Sequence, residues 1–392
     1  MPGTNYRRTK LACYLGFVTQ AISANFAPLL FLTFYRTYGI SIGDLALIPL
    51  VFFLTQLIVD FLSAKFVDRI GYRRCIVAAE AVSGAGLMML ACLPDLCPHP
   101  FAGILVCVVV YAIGSGLIEV LCSPIVEACP FENKAGTMSL LHSFYCWGTT
   151  GTILGSTAFF AAFGTEHWRI LACIWALVPL YNIFNFATCP IEPIVADGES
   201  MSVGELLRTK IFWLFIVLMV CAGASELAMA QWASAFTESS LGVSKTTGDL
   251  LGACGFAVLM GLSRVWYGRY GEKVDLTGFM IASGALCLCS YLLAAFVSMP
   301  WMGLAGCMLC GFSVGIMWPG SISISSARLP RGGTALFALL ALSGDLGGAA
   351  GPAIVGEVSQ AMGENLQAGL LAGIVFPMVL MGTVLALKKI RK

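Results

Sequence analysis

The sequence predicts an all-α membrane protein with twelve transmembrane helices arranged as two parallel six-helix halves. Three observations support this fold class. The 392-residue chain is 58% hydrophobic and only 11% charged, whereas soluble globular domains carry about 25% charged residues. Residues 276–327 contain no Asp, Glu, Lys, Arg or His, a run more than twice the ~20 residues that one spanning helix needs. Finally, sequence features of the first half recur in the second.

Hydropathy divides the chain into twelve apolar segments. They cover residues 11–35, 44–66, 74–93, 101–128, 135–163, 168–187, 211–237, 248–267, 277–297, 301–326, 334–360 and 366–387. A membrane β-barrel is not expected, because its strands would alternate polar and apolar residues. The longest polar connection, residues 188–210, is predicted to be a cytoplasmic linker between an N-terminal half (1–187) and a C-terminal half (211–392).

The positions of Lys and Arg predict the orientation of these segments. With both termini inside, 19 of the 22 basic residues fall on the cytoplasmic side, and only Arg36, Arg169 and Lys245 fall outside. The positive-inside rule favours this arrangement. The apolar run after the basic N-terminus is longer than the about 7–15 residues of a signal-peptide core, so we expect a retained first helix. The predicted location is the inner or plasma membrane, with both termini cytoplasmic.

The repeat is clearest in glycine and proline positions. Three glycines of the fifth predicted helix recur in the eleventh at an offset of 196: Gly148, Gly151 and Gly155 match Gly344, Gly347 and Gly351. A pair in the fourth helix recurs in the tenth at an offset of 195: Gly116 and Pro124 match Gly311 and Pro319. Parallel repeats of six helices are typical of secondary transporters that bind substrate near the membrane midplane.

The connection between the second and third helices carries a motif, AKFVDRIGYRR at residues 64–74. It resembles motif A of the major facilitator superfamily, G-x-x-x-D-R-x-G-R-R. The matching residues are Asp68, Arg69, Gly71, Arg73 and Arg74, while Ala64 replaces the first glycine and Tyr72 stands where arginine is commoner. The resemblance implies a gating motif that ties cytoplasmic helix ends together and releases them during transport. A loop that merely follows the positive-inside rule would leave the Asp-Arg-x-Gly order unexplained.

Glu119 is a carboxyl group deep inside the fourth apolar segment, where an ionisable group costs about 2.5–3.5 kcal/mol on insertion scales. Its surroundings, GSGLIEVLCSPIVEA at residues 114–128, resemble helix 4 of the fucose–proton symporter family, G-x-G-x-x-E-x-x-x-N-P-x-[IV], with Ser123 in place of the asparagine. The resemblance implies that Glu119 takes part in proton coupling and sugar recognition. A structural carboxylate paired across a helix contact is the alternative.

Other segments continue this resemblance in the same order. They are LLHSFYCWGTTGTILG (140–155), GASELAMAQWASAF (223–236), GFSVGIMWPGSISI (311–324) and SGDLGGAAGP (343–352). His142 is the only histidine inside a predicted span, and it could relay protons or make a structural hydrogen bond. The first helix departs from the family because it has no acidic residue. The proton-coupling candidates are Glu119 and His142, and the substrate-binding candidates are Gln20, Asn25, Glu119, His142, Glu226, Gln231, Trp232, Trp318 and Asp345.

Two further acids, Asp60 and Glu80, lie near the cytoplasmic ends of the second and third helices. We expect both to pair with the arginines of the 64–74 loop. Cys307-x-x-Cys310 lies inside an apolar segment, where cysteine behaves as a small hydrophobe. Two cysteines fall short of the four ligands of a structural zinc site, so no metal site is predicted.

The sequence also limits the functional class. No G-x-x-x-x-G-K-[ST] motif is present, so no nucleotide cofactor is expected. No nucleophile–base pair suggests an enzyme, and a net charge of +1 does not suggest a nucleic-acid partner. The predicted function is secondary active transport by a monomer in the lipid bilayer, namely proton-coupled uptake of a small polar solute such as a monosaccharide. The alternatives are a proton-driven exporter of drugs or organic ions, a facilitative or sodium-coupled sugar carrier, or a twelve-helix receptor or membrane enzyme.

Overall fold

The computed structural model describes residues 6–40, 42–45, 47–192, 200–239, 241–243, 248–296, 299–363 and 365–390. Within these ranges the chain is almost entirely helical and contains no β-strand. Up to the polar connection, the helices are α1 (Arg7–Leu29), α2 (Phe31–Tyr38), α3 (Ile42–Leu45), α4 (Leu47–Ile70), α5 (Tyr72–Leu96), α6 (Pro100–Ala128), α7 (Lys134–Phe163) and α8 (Trp168–Thr188). The remaining helices are α9 (Val203–Arg208), α10 (Lys210–Ser239), α11 (Gly255–Tyr270), α12 (Leu276–Phe296), α13 (Pro300–Val314), α14 (Met317–Arg328), α15 (Gly333–Ala361), α16 (Leu366–Ala372) and α17 (Val375–Ile390).

These helices confirm the predicted all-α membrane fold. Nine helical stretches in the described part of the chain are long and apolar enough to cross a membrane. The three other predicted spans also coincide with helices: α1 and α2 form the first, α7 forms the fifth, and a π-helical segment (Gly248–Cys254) followed by α11 forms the eighth. The arrangement is consistent with twelve transmembrane helices.

Several predicted spans are interrupted. The tenth span divides into α13 and α14 at residues 315–316, and the regular helix of the first span ends at Leu29, one residue after Pro28. Proline lacks the backbone N–H that would bond the carbonyl group four residues earlier in a helix. Pro319 therefore leaves the carbonyl group of Gly315 without a helical donor, which explains the interruption of the tenth span. An interruption leaves backbone carbonyl groups that need other donors. The break at Gly315 is important below because a side chain supplies such a donor.

The structure forms two compact units, each assembled from segments on both sides of the polar connection. Unit 1 comprises Met1–Pro130, Trp147–Ser200 and Gly333–Ala338, and unit 2 comprises Phe131–Cys146, Met201–Gly332 and Leu339–Lys392. The first part of α7 therefore belongs to unit 2, and the first turns of α15 belong to unit 1. The predicted division into residues 1–187, 188–210 and 211–392 stays a prediction.

Unit 1 is held together by an apolar core and by close helix contacts. Phe34 and Trp168 are fully buried and meet edge to face, with ring centroids 5.4 Å apart. A Cβ atom at Gly86 would lie 2.6 Å from the backbone nitrogen of Tyr111. Only glycine permits this approach of α5 to α6, and small residues are how membrane helices pack closely.

In unit 2, glycines of the predicted repeat let α15 approach α10. A Cβ atom at Gly347 would overlap the carbonyl group of Val220, and one at Gly351 would lie 2.7 Å from the carbonyl oxygen of Ala224. Close helix packing therefore accounts for these two repeated glycines without a functional role.

The polar connection contains one short helix. In α9, Ser202 and Glu205 form a capping box, in which each side chain bonds the backbone N–H of the other residue. Residues 193–199 of the predicted linker, and Lys245 of a predicted outer loop, lie outside the described residues.

Candidate functional site

Glu119 lies at the centre of a polar cluster in unit 1. Its side chain is half-buried on α6, and its Oε2 atom accepts hydrogen bonds from Gln20 Nε2 at 2.6 Å and from Gln56 Nε2 at 3.2 Å. A Cβ atom at Gly116 would lie 3.1 Å from Val59 and 3.4 Å from the Cα of Gln56. The absence of a side chain at Gly116 thus lets α4 come close enough to α6 for Gln56 to reach the carboxyl group.

The structure brings together two predicted residues, Gln20 and Glu119, and adds Gln56, which the sequence analysis did not identify. Gln20 also has an unfilled acceptor: its Oε1 atom is buried and has no hydrogen-bond partner among the described residues. Asn25, further along α1, donates to the carbonyl group of Ala21 at 2.8 Å and to Thr149 Oγ1 on α7 at 3.2 Å. The two amide side chains of α1 therefore bond to different helices, Gln20 to α6 and Asn25 to α7.

A second cluster, in unit 2, is built around Arg264 on α11. The guanidinium group is almost fully buried and forms an ion pair with Glu226, with Nη2 to Oε2 at 3.1 Å. Its Nε atom donates to the carbonyl oxygen of Gly315 at 2.8 Å, which is the carbonyl freed by the break between α13 and α14. Its Nη1 atom lies 3.1 Å from both the carbonyl oxygen of His142 and the sulfur of Cys146. Arg264 therefore ties α10, the helix break and α7 together.

The sequence analysis did not identify Arg264 as a site residue. It lies near the end of its predicted span, where the positive-inside rule accounts for an arginine. The structure shows that its side chain is only 3% exposed. Glu226 and His142, both predicted site residues, share this cluster, and the side chain of His142 is itself buried.

The remaining substrate-binding candidates occupy different environments in unit 2. Trp232 donates its indole N–H to the carbonyl oxygen of Pro352 at 3.0 Å, so one edge of its ring has a structural bond. Trp318 is half-buried against Gly344. Asp345 follows Gly344 on α15, and its buried Oδ2 atom has no hydrogen-bond partner within the described ranges. Gln231 is exposed.

The described residues contain no group of three or more His, Cys, Asp or Glu side chains that could hold a metal ion. The buried thiols of the tenth predicted span instead lie among other sulfur atoms. Cys310 is 4.0 Å from Cys287, and Cys307 is 3.8 Å from the sulfur of Met229. These thiols therefore fill apolar space between helices.

Comparison with known proteins identifies the family. The sequence profile of the Major Facilitator Superfamily matches residues 12–352. The chain belongs to the major facilitator superfamily. It is thus a multi-pass membrane protein of a transporter family, as the resemblance of its motifs implied.

Individual relatives of this superfamily member are distant. It is 22% identical to the membrane protein MosC of Rhizobium meliloti over 329 residues, which are 84% of this chain and 78% of the relative. The fold is similar to the crystal structure of the E. coli fucose:proton symporter FucP, with a TM-score of 0.81, 16% identity, and coverage of 96% of this chain and 98% of that one. It is also similar to the proton:xylose symporter XylE (TM-score 0.79, 13% identity, coverage 97% and 95%). A third similar structure is the human organic anion transporter MFSD10 (TM-score 0.76, 16% identity, coverage 97% and 100%).

In this major facilitator protein, the motif at residues 64–74 contacts two helix termini within unit 1. Thr334, in the first turn of α15, donates to Asp68 Oδ1 at 2.5 Å and also bonds the hydroxyl of Tyr72. A carboxylate at a helix N-terminus is stabilised by the helix dipole. Tyr72, the departure from the motif, thus adds a hydrogen bond at the same helix end.

Arg73 binds the opposite kind of helix terminus. Its guanidinium group donates to the carbonyl oxygens of Phe186, Ala187 and Cys189 at 2.8–2.9 Å, at the C-terminal end of α8. A cation at this end complements the negative pole of the helix. Arg69 and Arg74 are exposed, and Gly71 has a φ of 96°, which only glycine adopts easily. The role of the motif in gating stays a prediction.

The predicted pairing of Glu80 with the arginines of this loop is wrong. Glu80 is fully buried on α5, and its two carboxyl oxygens bond Thr19 and Asn182. Glu80 is near the loop along the sequence, but its side chain points toward Thr19 on α1 and Asn182 on α8 rather than toward the loop arginines. Asp60 is also fully buried, and its pairing with the loop stays a prediction.

Proposed function

We propose that this member of the superfamily takes up a small polar solute, a monosaccharide, together with a proton. The observation that carries the proposal is the bonding of Glu119, a carboxyl group inside a membrane helix that accepts two amide hydrogen bonds on one oxygen. Ionisable residues at such positions mark substrate and proton pathways in membrane proteins. Protonation would let the loaded carrier change conformation without a bare charge in the membrane.

The polar groups around Glu119 suit a polyol. The amide nitrogens of Gln20 and Gln56 donate to Oε2 of Glu119. The Oε1 atom of Gln20 is a buried acceptor with no partner in the described structure. Sugar hydroxyl groups can donate to such an acceptor, and Asn25 offers an amide on the same helix.

Transport of an organic anion is the second candidate, because Arg264 is a buried cation and the human organic anion transporter shares the fold. The ion pair between Arg264 and Glu226 argues against it. The pair is locally neutral, so an anion would have to displace Glu226 from a desolvated partner. A neutral solute meets no such penalty.

The test is transport by the purified protein in liposomes, with an internal pH-sensitive dye. A panel of sugars, organic anions and lipophilic cations is added outside, with sodium present or replaced by potassium. We expect acidification inside the liposomes and uptake of one sugar class, independent of sodium, for the wild type. Glu119→Gln should abolish the proton movement, while Glu127→Gln, a matched change on the same helix, should retain it.

The proposal fails if no sugar moves protons and Glu119→Gln behaves as the wild type. Proton movement driven only by organic anions or drugs would support the exporter instead. Sugar exchange without proton movement would indicate a facilitative carrier, and a strict need for sodium would indicate sodium coupling.

The proposal includes a monomer that uses no nucleotide, metal or enzymatic step, in an inner or plasma membrane with both termini cytoplasmic. Labelling of single cysteines introduced near each terminus, with a membrane-impermeant reagent, tests the orientation. Addition of nucleotide to the liposome assay should leave the uptake rate unchanged.

A further inference from the structure

Glu80 is a second buried carboxyl group in unit 1, separate from the Glu119 cluster. It lies on α5 with no exposed surface. Thr19 Oγ1 on α1 lies 3.0 Å from its Oε2 atom, and Asn182 Nδ2 on α8 donates to its Oε1 atom at 2.7 Å. Each carboxyl oxygen therefore has one defined partner.

The orientation of Asn182 is fixed by its other bonds. Its Nδ2 atom also donates to the carbonyl oxygen of Ala12 at 2.9 Å, and its Oδ1 atom accepts from Asn185 at 3.2 Å. A flipped amide would place two oxygens together at Ala12. Glu80 Oε1 must therefore accept, whereas Oε2 faces a hydroxyl group that can either donate or accept.

No cation forms an ion pair with Glu80 among the described residues. The titratable groups that contacts place beside it are two thiols, Cys13 on α1, which interacts with it electrostatically, and Cys122 on α6, which lies with Glu80 Oε1 against Gly16. On α8, the facing group is the neutral amide of Asn182. An ionised carboxylate is very unfavourable in an apolar interior without a cation, and such a group normally becomes neutral.

We propose that Glu80 is a second proton-binding site of this carrier. The proton resides on Oε2 and is donated to Thr19 Oγ1, while Oε1 accepts from Asn182. This arrangement satisfies both oxygens without a charge. In the neutral state the carboxyl group thus has the same donor and acceptor pattern as a glutamine amide placed at position 80.

The site is linked to Glu119 through consecutive residues of one helix. Thr19 contacts Glu80, and the next residue, Gln20, contacts Glu119. A movement of α1 that lengthens one of these hydrogen bonds must disturb the other, because the two residues share a helical turn. Proton occupancy at Glu80 is therefore coupled to the state of Glu119. The use of this coupling in transport rests on the proposed function, but the presence of the proton does not.

Infrared difference spectroscopy of the full-length protein in lipid nanodiscs at pH 7, without substrate, tests the proposal. We expect the spectrum of wild type minus Glu80→Gln to contain the carbonyl stretch of a protonated carboxyl group. Glu127→Gln, the matched control at the end of α6, should instead remove carboxylate bands. Loss of carboxylate bands in Glu80→Gln would overturn the proposal.

A second variant guards against misfolding of the first. Thr19→Val removes the hydroxyl partner and should shift the frequency of the same carbonyl band, and an unshifted band would assign it elsewhere. Glu119→Gln should also shift the Glu80 band if the two sites are coupled through α1, and an identical band would overturn the coupling. Because no solute is present, these results stand even if the liposome assay shows that the carrier transports no sugar.

Discussion

Two carboxyl groups inside predicted spans, one in each unit, have opposite kinds of partner. Glu226 in unit 2 is paired with Arg264, whose other donors bind two backbone carbonyl groups and the sulfur of Cys146. Glu80 in unit 1 has a hydroxyl and an amide as partners. A guanidinium group keeps a carboxylate ionised, whereas neutral partners in an apolar interior favour the protonated form. Glutamate therefore has a charged partner in unit 2 and neutral partners in unit 1, where we propose that it carries a proton.

The contrast also suggests different duties for the units. The charge of Arg264 is used structurally, since it joins α7, α10 and the break after α13 within unit 2. Glu119, like Glu80, is hydrogen-bonded to neutral side chains in unit 1. We therefore expect proton-dependent behaviour to concentrate in unit 1, and charge-dependent stability to concentrate in unit 2.

The largest effect should come from removing the cation of unit 2. Arg264→Ala leaves the half-buried Glu226 without its cation and deprives Gly315 of its donor. Breaking a buried ion pair from one side typically costs about 3–5 kcal/mol, so we expect a marked fall in the thermal unfolding temperature of the detergent-solubilised protein. The double variant Arg264→Ala with Glu226→Gln should recover part of this loss. A double variant no more stable than Arg264→Ala would show that the ion pair is not the cause.

The next effect compares the two carboxyl groups directly. Glu226→Gln removes a charged acceptor from Arg264, and hydrogen bonds to charged groups contribute about 1.5–3 kcal/mol. Glu80→Gln should leave the unfolding temperature nearly unchanged, because an amide reproduces the neutral carboxyl. Parallel thermal unfolding of both variants provides the measurement. Equal destabilisation by the two substitutions would remove the contrast between the units.

Much of the fold was predictable, but the partners in these clusters were not. Hydropathy and charge placement revealed the helices, and the glycines repeated at Gly347 and Gly351 do mark close helix contacts. Glu119 was identified because a carboxyl group in an apolar run is anomalous by itself. Gln56 was missed, since its contact with Glu119 joins residues 63 apart in sequence and depends on how each helix is rotated.

Arg264 was missed for a related reason. An arginine near the end of an apolar segment can be a solvated cytoplasmic charge or a buried partner of an acidic residue. The positive-inside rule favours the first interpretation. Only the contact with Glu226 on another helix distinguishes the two.

The break at Gly315 has one signal in the sequence, Pro319, which lacks the N–H that would bond the carbonyl group of Gly315. Pro124 and Pro179 lie inside unbroken helices, so a proline alone does not predict a break.

A smaller effect is expected where a carboxylate is exposed rather than buried. Asp68→Asn keeps the hydrogen bond from Thr334 but removes the charge at the N-terminus of α15, and such charges contribute about 0.3–1 kcal/mol. Hydrogen exchange of the first turn of α15 provides the measurement. Because exposed charges are screened by salt, high ionic strength should shrink the difference from wild type. An effect as large in high salt would contradict this assignment, whereas the Arg264 variants should be insensitive to salt.

The smallest effect is expected at Glu205, whose carboxylate is fully exposed, whereas Glu80 is fully buried. The backbone N–H and the hydroxyl group of Ser202 donate to it, and these bonds lower its pKa below the ordinary value of glutamate. Since the pKa is lower in the folded chain, its contribution is present above the ordinary pKa and is lost as the pH falls through the lowered value. Hydrogen exchange of α9, corrected for intrinsic rates, should therefore show weaker protection in that acidic range. Glu205→Gln preserves the capping pattern without a titrating group, so its protection should not change with pH. A wild type that is equally insensitive would show that the ionised form of Glu205 does not stabilise the helix.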